Sequence, residues 1–504
     1  MHDLLKQRFG YKNIIPLVAV AVFFITAWNS HGFYHADEHY QIIEFAGIKL
    51  GTHTPDELAW EYGAQIRPAL QPSICFVLLK VLNQINITDP YIQAFSLRLL
   101  TAFLALIFIR SFIKKTEGQF ENNNTKKIYY LLSYFLWFIP VISVRFSSET
   151  WSGLFFLSAL TLFLIKDKQT SKPFLAGILL GFSFLFRFQI AFALIGLLLW
   201  LLIIERVNLR YLAKLALGFF LIIFIGFLID SWFYGKPLFT PWNYFQNFYS
   251  DIMGESAPAF GTTPWYYYLS QLLKLPGYFI GVPLFISFVI LIIFKPKNLI
   301  LWCIIPFIII HSMISHKEER FLFPMVYLFP YILVTGYEQI RIVFKNKILV
   351  KLVNYFLAIL FISTNLTGLI VMAQKSAGIG RMAITKHIHD RYKNRPVNLI
   401  YCSWANPYNP WNGIPEKFYL EKNMTDRRIN NLCELNDSLI VSGAVNFLVG
   451  RKIDFENQEC SNIVHENNFN FEKQSIPNWI ECINEKYKGF ENKNILMLYK
   501  YAGK

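Results

Sequence analysis

Apolar runs separated by short polar stretches dominate the chain, at residues 14–30, 92–113, 128–146, 150–166, 174–187, 189–204, 211–231, 275–294, 298–315, 321–339 and 350–372. Most approach the roughly 17 to 25 residues that a helix needs to cross a bilayer, so the pattern predicts about eleven transmembrane helices. The two runs flanking Arg187 are the shortest, and fit a tilted pair or a re-entrant hairpin equally well. The stretch 67–85 is apolar on one side, through Ile74, Val77, Leu78 and Val81, but is interrupted by Gln71, Lys80 and Gln84. That pattern predicts a helix lying on the membrane surface. After Met372 the long apolar runs end, Asn, Lys and Glu rise, and β-like runs appear at 397–401, 438–441 and 495–499. The predicted architecture is therefore an α-helical polytopic membrane domain over 1–375, with polar loops at 31–91 and 232–274, followed by a small soluble α/β domain over 376–504.

Composition agrees with this class: 54% of residues are hydrophobic and only 16% charged, well below the quarter usual in soluble domains. The formal net charge of +15 does not form a basic stripe with interleaved aromatics, so nucleic acid is not an expected partner. Instead the cations sit between the apolar runs, at Lys6, Arg8 and Lys12, at Lys114, Lys115, Lys126 and Lys127, at 166–172, at Arg206 and Arg210, at Lys295 and Lys297, and from Arg341 to Lys347. Alternating spans place all of these on one side, which the positive-inside rule makes cytoplasmic. Residues 31–91, 145–149, 232–274, 316–320 and the C-terminal domain then share the opposite, lumenal or periplasmic face. The first apolar run lacks a small-residue cleavage site and reads as a retained span with no cleaved leader. Four of the six cysteines, Cys402, Cys433, Cys460 and Cys482, fall on the non-cytoplasmic side, where one or two disulfides can persist, whereas Cys75 and Cys303 lie in or against apolar segments.

Chemistry-bearing residues cluster on that same face. The string His35-Ala36-Asp37-Glu38-His39-Tyr40-Gln41 follows the first span, where acidic residues are costly unless solvated or used. His35 and His39 are four apart, as in a zinc-binding HExxH helix, but the glutamate of that motif is not matched and no metal is expected. His316-Lys317-Glu318-Glu319-Arg320 is wedged between two apolar runs, where it either pairs internally or offers cations to a phosphate. The loop from 230 to 268 is rich in aromatic rings, as in an interfacial belt or a face for sugar or lipid. Arg145, Glu149 and Arg187 lie at span ends, where snorkelling accounts for arginines as readily as ligand binding does.

In this order the motifs resemble those of the family 22 glycosyltransferases of the GT-C superfamily, the dolichyl-phosphate-mannose-dependent mannosyltransferases of N-glycan and GPI-anchor assembly. The resemblance runs over about residues 14–408. His35 to Gln41 is similar to the family's His-Pro-Asp-Glu-aromatic-aromatic-Gln box, and Trp60-Glu61 with Arg67 to its Thr-Trp-Glu-Trp and Arg-Ser boxes. Asp230-Ser231, Tyr234-Gly235, Thr240-Pro241, Phe245 and Asn247, then Gly261, Pro264-Trp265 and Tyr268, follow two further family loops. His316-Lys317-Glu318 with Arg320-Phe321 matches its His-Lys/Gln-Glu-x-Arg-Phe box. Ala36 in place of proline and Pro68 in place of serine mark a divergent member, which the Asn- and Lys-rich composition further associates with a bacterium.

The resemblance implies an inverting, metal-independent transfer of mannose from a polyprenyl-phosphate donor to a glycan or glycolipid acceptor, without a cofactor and in contact with membrane lipids. In such a single displacement one carboxylate accepts the acceptor's proton, here Asp37, with Glu38 orienting or binding the acceptor. His316, Lys317 and Arg320 are expected to meet the donor phosphate. His35, Gln41, Glu61, Arg67, Arg145, Glu149, Tyr234 and Trp265 are expected to contact substrate. Two other functions are weighed, a GT-C enzyme for a different polyprenyl-phosphate sugar and a transporter or flippase of lipid-linked sugars. Against the transporter, the polar boxes fall on one face with none at span centres. The compartment expected is a bacterial inner membrane, with the endoplasmic reticulum as the alternative. Asn86, Asn123, Asn365, Asn423 and Asn436 begin N-x-S/T triplets, which such a composition also produces by chance, and no KDEL-type signal ends the chain.

Overall fold

Each predicted apolar run is helical in the computed structural model, which describes residues 10–164, 172–253, 261–343, 348–378, 380–409, 413–487 and 491–503. Lys6, Arg8, most of the basic loop at 166–172, and Lys345 and Lys347 lie outside the described residues. Among the described residues five helices are long and apolar enough to span a membrane: Tyr11–Asn29, Pro90–Gln119, Leu209–Tyr234, Glu319–Ile342 and Tyr355–Gln374. A sixth span is possible if Tyr278–Phe294 and Leu299–Met313, bent by 118° at their break, are one span. The remaining runs form shorter apolar helices, including Ser148–Phe163, Pro173–Phe186 and Ala191–Ile203. The run at 128–146 divides into Asn123–Phe135 and Phe138–Ser143. Residues 67–85 contribute the single helix Leu70–Gln84.

The chain divides into two compact units. The first comprises Met1–Thr26, Ala64–Ile74 and Arg98–Ala373. Several of its helices begin at side chains that accept an otherwise unpaired backbone N–H. Asn122 accepts from Asn124, Ser147 from Thr150, Asn208 from Tyr211 and Asn298 from Ile300. Pro173–Phe186 packs against both Ser148–Phe163 and Leu209–Tyr234, and Ala191–Ile203 packs against Leu299–Met313. Small residues make such contacts close. A Cβ on Gly177 would lie 2.0 Å from the Leu215 carbonyl oxygen, so Pro173–Phe186 and Leu209–Tyr234 touch backbone to backbone there. Gly177→Ala is expected to force these helices apart at a cost of about 1–3 kcal/mol, read as a lower thermal midpoint in detergent. Asn365 is built into this unit, accepting from the Trp137 N–H at 2.9 Å and donating to the Phe135 carbonyl at 2.7 Å, a placement unlike that of a glycan acceptor.

The second unit comprises Ala27–Gly63, Cys75–Leu97 and Gln374–Lys504. Its sheet has strands β1 (Val397–Cys402), β2 (Met424–Ile429), β3 (Val445–Arg451), β4 (Phe469–Gln474) and β5 (Leu496–Tyr501), in the order β2-β1-β3-β5-β4. β1 pairs in parallel with β2 and β3, while β5 runs antiparallel to β3 and β4. β1 is buried along its whole length because both faces are covered. Val397, Leu399 and Tyr401 pack with Ile384, Ile388 and Tyr392, and Ile400 and Cys402 pack with Leu432 and Val464. The predicted strand at 438–441 is not one: Asp437–Leu439 is a 3-10 turn and the strand lies just beyond it. Asn436 explains the difference, since its side chain accepts the Ser438 N–H at 3.0 Å and closes the turn that its residue type favours. Cys433 is disulfide-bonded, whereas Cys75, Cys303, Cys402 and Cys482 are free thiols and the Cys460 side chain lies outside the described residues.

Candidate active site

The predicted site residues divide between the units: His35, Asp37, Glu38, Gln41 and Glu61 lie in the second, and Arg67, Arg145, Glu149, Tyr234, Trp265, His316, Lys317 and Arg320 in the first.

In the second unit a helical turn, Asp37–His39, passes into a π-turn, Tyr40–Glu44, and then into the helix Phe45–Leu50, which Gly51 ends at φ 74°. A π-turn is rare and tends to mark functional positions, because it rotates the side chains before it relative to those after it. Glu38 turns back on its own loop, its carboxylate accepting from the N–H groups of Tyr34 at 3.3 Å and His35 at 3.4 Å. Asp37 keeps a carboxylate that is 18% exposed, with the His35 ring 3.6 Å away. Gln41 donates to Glu61 at 2.8 Å, which ties two predicted boxes together.

Glu44, which the motifs do not single out, forms the centre of this loop. Its buried carboxylate accepts from the His39 ring at 2.6 Å, binds His53 through the other oxygen, and accepts the Phe418 N–H at 3.1 Å. Burial alone would raise its pKa, but the charge and hydrogen bond of His39, with those of His53, hold it down at about 2. Burial likewise opposes protonation of His39, yet the facing carboxylate outweighs it and raises the His39 pKa. Both directions describe one buried imidazolium–carboxylate pair. Each ring turns an N–H toward this carboxylate, and no three His, Cys, Asp or Glu side chains among the described residues are placed to hold a metal ion.

In the first unit an alternating chain of charges is built from three helical elements and the segment that precedes the third. Ser147 caps the helix Ser148–Phe163 and puts Glu149 in its first turn. Arg187 sits where Pro173–Phe186 ends, and Arg320 in a 3-10 helix, Glu319–Leu328, that is long for its kind. Glu149 accepts from Arg187 at 3.2 Å and from Arg320 at 3.1 Å. Arg320 also pairs with Glu318, which in turn binds the His316 ring at 2.7 Å. The Phe321 ring lies 5.1 Å from the Arg187 guanidinium and 5.3 Å from that of Arg320. Gly153 sets the approach of these elements, since a Cβ there would come within 2.7 Å of the Pro324 Cα.

Lys317 is used differently from Arg320. Its ammonium donates to the carbonyls of Thr263 at 2.9 Å and Ile314 at 2.5 Å, which takes up two of its three N–H groups. It therefore ties the loop at 261–266 to the turn before Arg320. Arg67 is held by its backbone: Tyr234 donates to the Arg67 carbonyl at 2.9 Å, and Asp230 accepts the Ala69 N–H at 2.7 Å and the Thr240 hydroxyl at 2.5 Å. Arg145 is buried, and Trp265 is 68% exposed. Arg187, for which snorkelling offered an equal account, is buried and ion-paired instead.

The sequence model of the Alg9-like mannosyltransferase family matches residues 14–421. Similar proteins include GPI mannosyltransferase 3 of Candida albicans, 27% identical over 67% of this chain and 66% of its own length, and GPI alpha-1,2-mannosyltransferase 3 of Xenopus laevis, 22% identical over 63% and 59%. The chain thus spans just under two thirds of the length of these relatives. A third similar protein, the "Probable Dol-P-Man:Man(7)GlcNAc(2)-PP-Dol alpha-1,6-mannosyltransferase" of Schizosaccharomyces pombe, is 33% identical over 27% of this chain and 24% of its own. ArnT from Cupriavidus metallidurans, solved with undecaprenyl phosphate bound, superposes over 97% of both chains with a TM-score of 0.56 at 11% identity, a likeness of GT-C fold. With several membrane-length helices, that fold and a family match over most of its length, the chain is a multi-pass membrane protein that belongs to the Alg9-like mannosyltransferase family.

Proposed function

We propose that the chain is an inverting mannosyltransferase that moves mannose from a polyprenyl-phosphate donor to a lipid-linked or surface glycan on the non-cytoplasmic face of a bacterial inner membrane. The observation that carries this reading is the ion-pair network of buried Glu149, Arg187 and Arg320 with half-buried Glu318, within a chain of this family. Two guanidiniums held against fixed carboxylates and a ring are preorganised cations, and a phosphate leaving group gains most from cations that need no reorganisation. Arg320 and Arg187 are the phosphate's expected partners, with His316 beside them and Lys317 fixing the turn and offering its third N–H. The names of the relatives support mannose as the sugar, and the undecaprenyl phosphate bound to ArnT supports a polyprenyl carrier.

Asp37 is the base in this reading and Glu38 shapes its loop, while Gln41, Glu61 and Arg67 are further residues expected to contact substrate. The test is to incubate purified protein with polyprenyl-phosphate mannose and a lipid-linked glycan extract and to identify the product by mass spectrometry. A hexose added to a glycan acceptor is expected. Transfer only from a polyprenyl-phosphate pentose, or donor movement across vesicles without transfer, would overturn the reading.

A further inference from the structure

Behind the turn that carries Asp37 and Glu38 lies a second carboxylate that the transfer mechanism does not use. Glu416 is fully buried, and neither of its side-chain oxygens has a hydrogen-bond partner among the described residues. It lies within a short strap, 414–419, that grips the loop at several points. Tyr40 donates its hydroxyl to the Ile414 carbonyl at 2.9 Å, the Phe418 N–H donates to Glu44 at 3.1 Å, and the Tyr419 ring stacks on His39 with centroids 5.4 Å apart. The His39 ring also stacks on Phe33, with centroids 5.5 Å apart. Backbone bonds fix Glu416 itself, its N–H donating to the Tyr408 carbonyl at 2.8 Å and its carbonyl accepting the Tyr419 N–H at 3.1 Å.

An unpaired carboxylate in such a place costs several kcal/mol if ionised, whereas the neutral acid costs far less. Arg381 lies close enough to favour ionisation, but its guanidinium donates to the carbonyls of Asn406 at 2.7 Å and Trp404 at 3.4 Å. The other titratable groups facing Glu416 are His39, Tyr40 and Glu44 from the loop, Tyr91 from the helix Pro90–Thr116, and Tyr408 from the C-terminal domain. With Glu44 already ionised, a second negative charge has His39 and Arg381 to balance it among the described residues.

We propose that Glu416 is a positioning residue that, in its neutral form, lets the 414–419 strap clamp the His39–Glu44 pair and so hold the turn bearing Asp37 in its working geometry. Burial pushes the Glu416 pKa up to about 7, with Glu44 adding to the rise and His39 and Arg381 opposing it. A folded-state value above the unfolded one contributes stability that is fully present below the unfolded pKa and is lost as pH rises through about 7. The clamp is therefore expected to loosen on the alkaline side.

The role attached to the clamp rests on Asp37 being the base, so the test separates the two. Glu416→Gln keeps the size of the side chain and fixes it neutral. In the wild type, kcat is expected to fall as pH rises from about 6 to about 8.5, with KM for the donor little changed, and in Glu416→Gln the alkaline limb that Glu416 causes should be lost. In parallel, the thermal midpoints of the two proteins in detergent should agree near pH 5 and separate in favour of Glu416→Gln near pH 8, a readout independent of turnover. Superimposable pH profiles for rate and melting would overturn the proposal. If Asp37→Asn retained turnover while Glu416→Gln still shifted both profiles, the base assignment would fail and the clamp would stand.

Discussion

Asp37→Asn is expected to abolish transfer, lowering kcat by roughly 10²–10⁴-fold or more while leaving donor affinity within a few-fold of wild type. Asparagine fills the same space and keeps an oxygen that accepts hydrogen bonds, so the turn Asp37–His39 should hold; what disappears is the site that takes the acceptor's proton as the glycosidic bond forms. That proton transfer belongs to the transition state, which is why the loss should appear in kcat and not in the ground-state grip on the donor. Glu38 supplies the contrast. Its carboxylate accepts the Tyr34 and His35 N–H groups, a task an amide oxygen can perform, so Glu38→Gln should slow the reaction by only about tenfold. Rates from single-turnover assays and affinities from donor-analogue titration decide the matter. Near-full turnover by Asp37→Asn would remove the single-base mechanism.

Asp37 stands out in the sequence as a candidate and Glu44 does not, which illustrates what patterns carry. The His35 to Gln41 string is contiguous and charged beside an apolar run, so its cost near the membrane announces it. Glu44 is a single acid inside an apolar stretch, and its meaning depends on His53, nine residues on, and on Phe418, which only folding brings to it. Glu416 is more hidden still, since nothing local distinguishes a lone Glu in a polar segment from a solvated one. The apolar helices were legible because length and hydropathy act over whole segments, and two inner strands of the α/β domain because β1 and β5 are mostly apolar. The strand predicted at 438–441 failed because turn chemistry at Asn436 outweighed a short β-like run. The 316–320 cluster was legible as charge but not as wiring. Lys317 and Arg320 look alike in sequence, yet one is consumed largely by backbone carbonyls and the other by carboxylates.

That wiring makes the second large effect. Arg320→Ala would leave Glu149 paired with Arg187 and Glu318 with His316, and breaking a buried pair from one side costs about 3–5 kcal/mol. A lost phosphate contact would then be hidden under lost folding, so the informative variants are Arg320→Lys and Glu149→Gln. Arg320→Lys keeps the charge but not the planar fork that reaches Glu318 through Nε and Glu149 through Nη1, and is expected to raise the donor KM by about tenfold with a smaller fall in kcat. Glu149→Gln acts in the opposite sense on binding. It removes the counter-charge that the two arginines share, so without ligand the guanidiniums repel and the thermal midpoint should drop. Added polyprenyl phosphate should then restore more stability to Glu149→Gln than to the wild type, because the ligand replaces a missing anion instead of competing with one. Melting curves with and without polyprenyl phosphate read this directly. A ligand-induced rise in Glu149→Gln no larger than in the wild type would show that the phosphate binds away from Arg187 and Arg320.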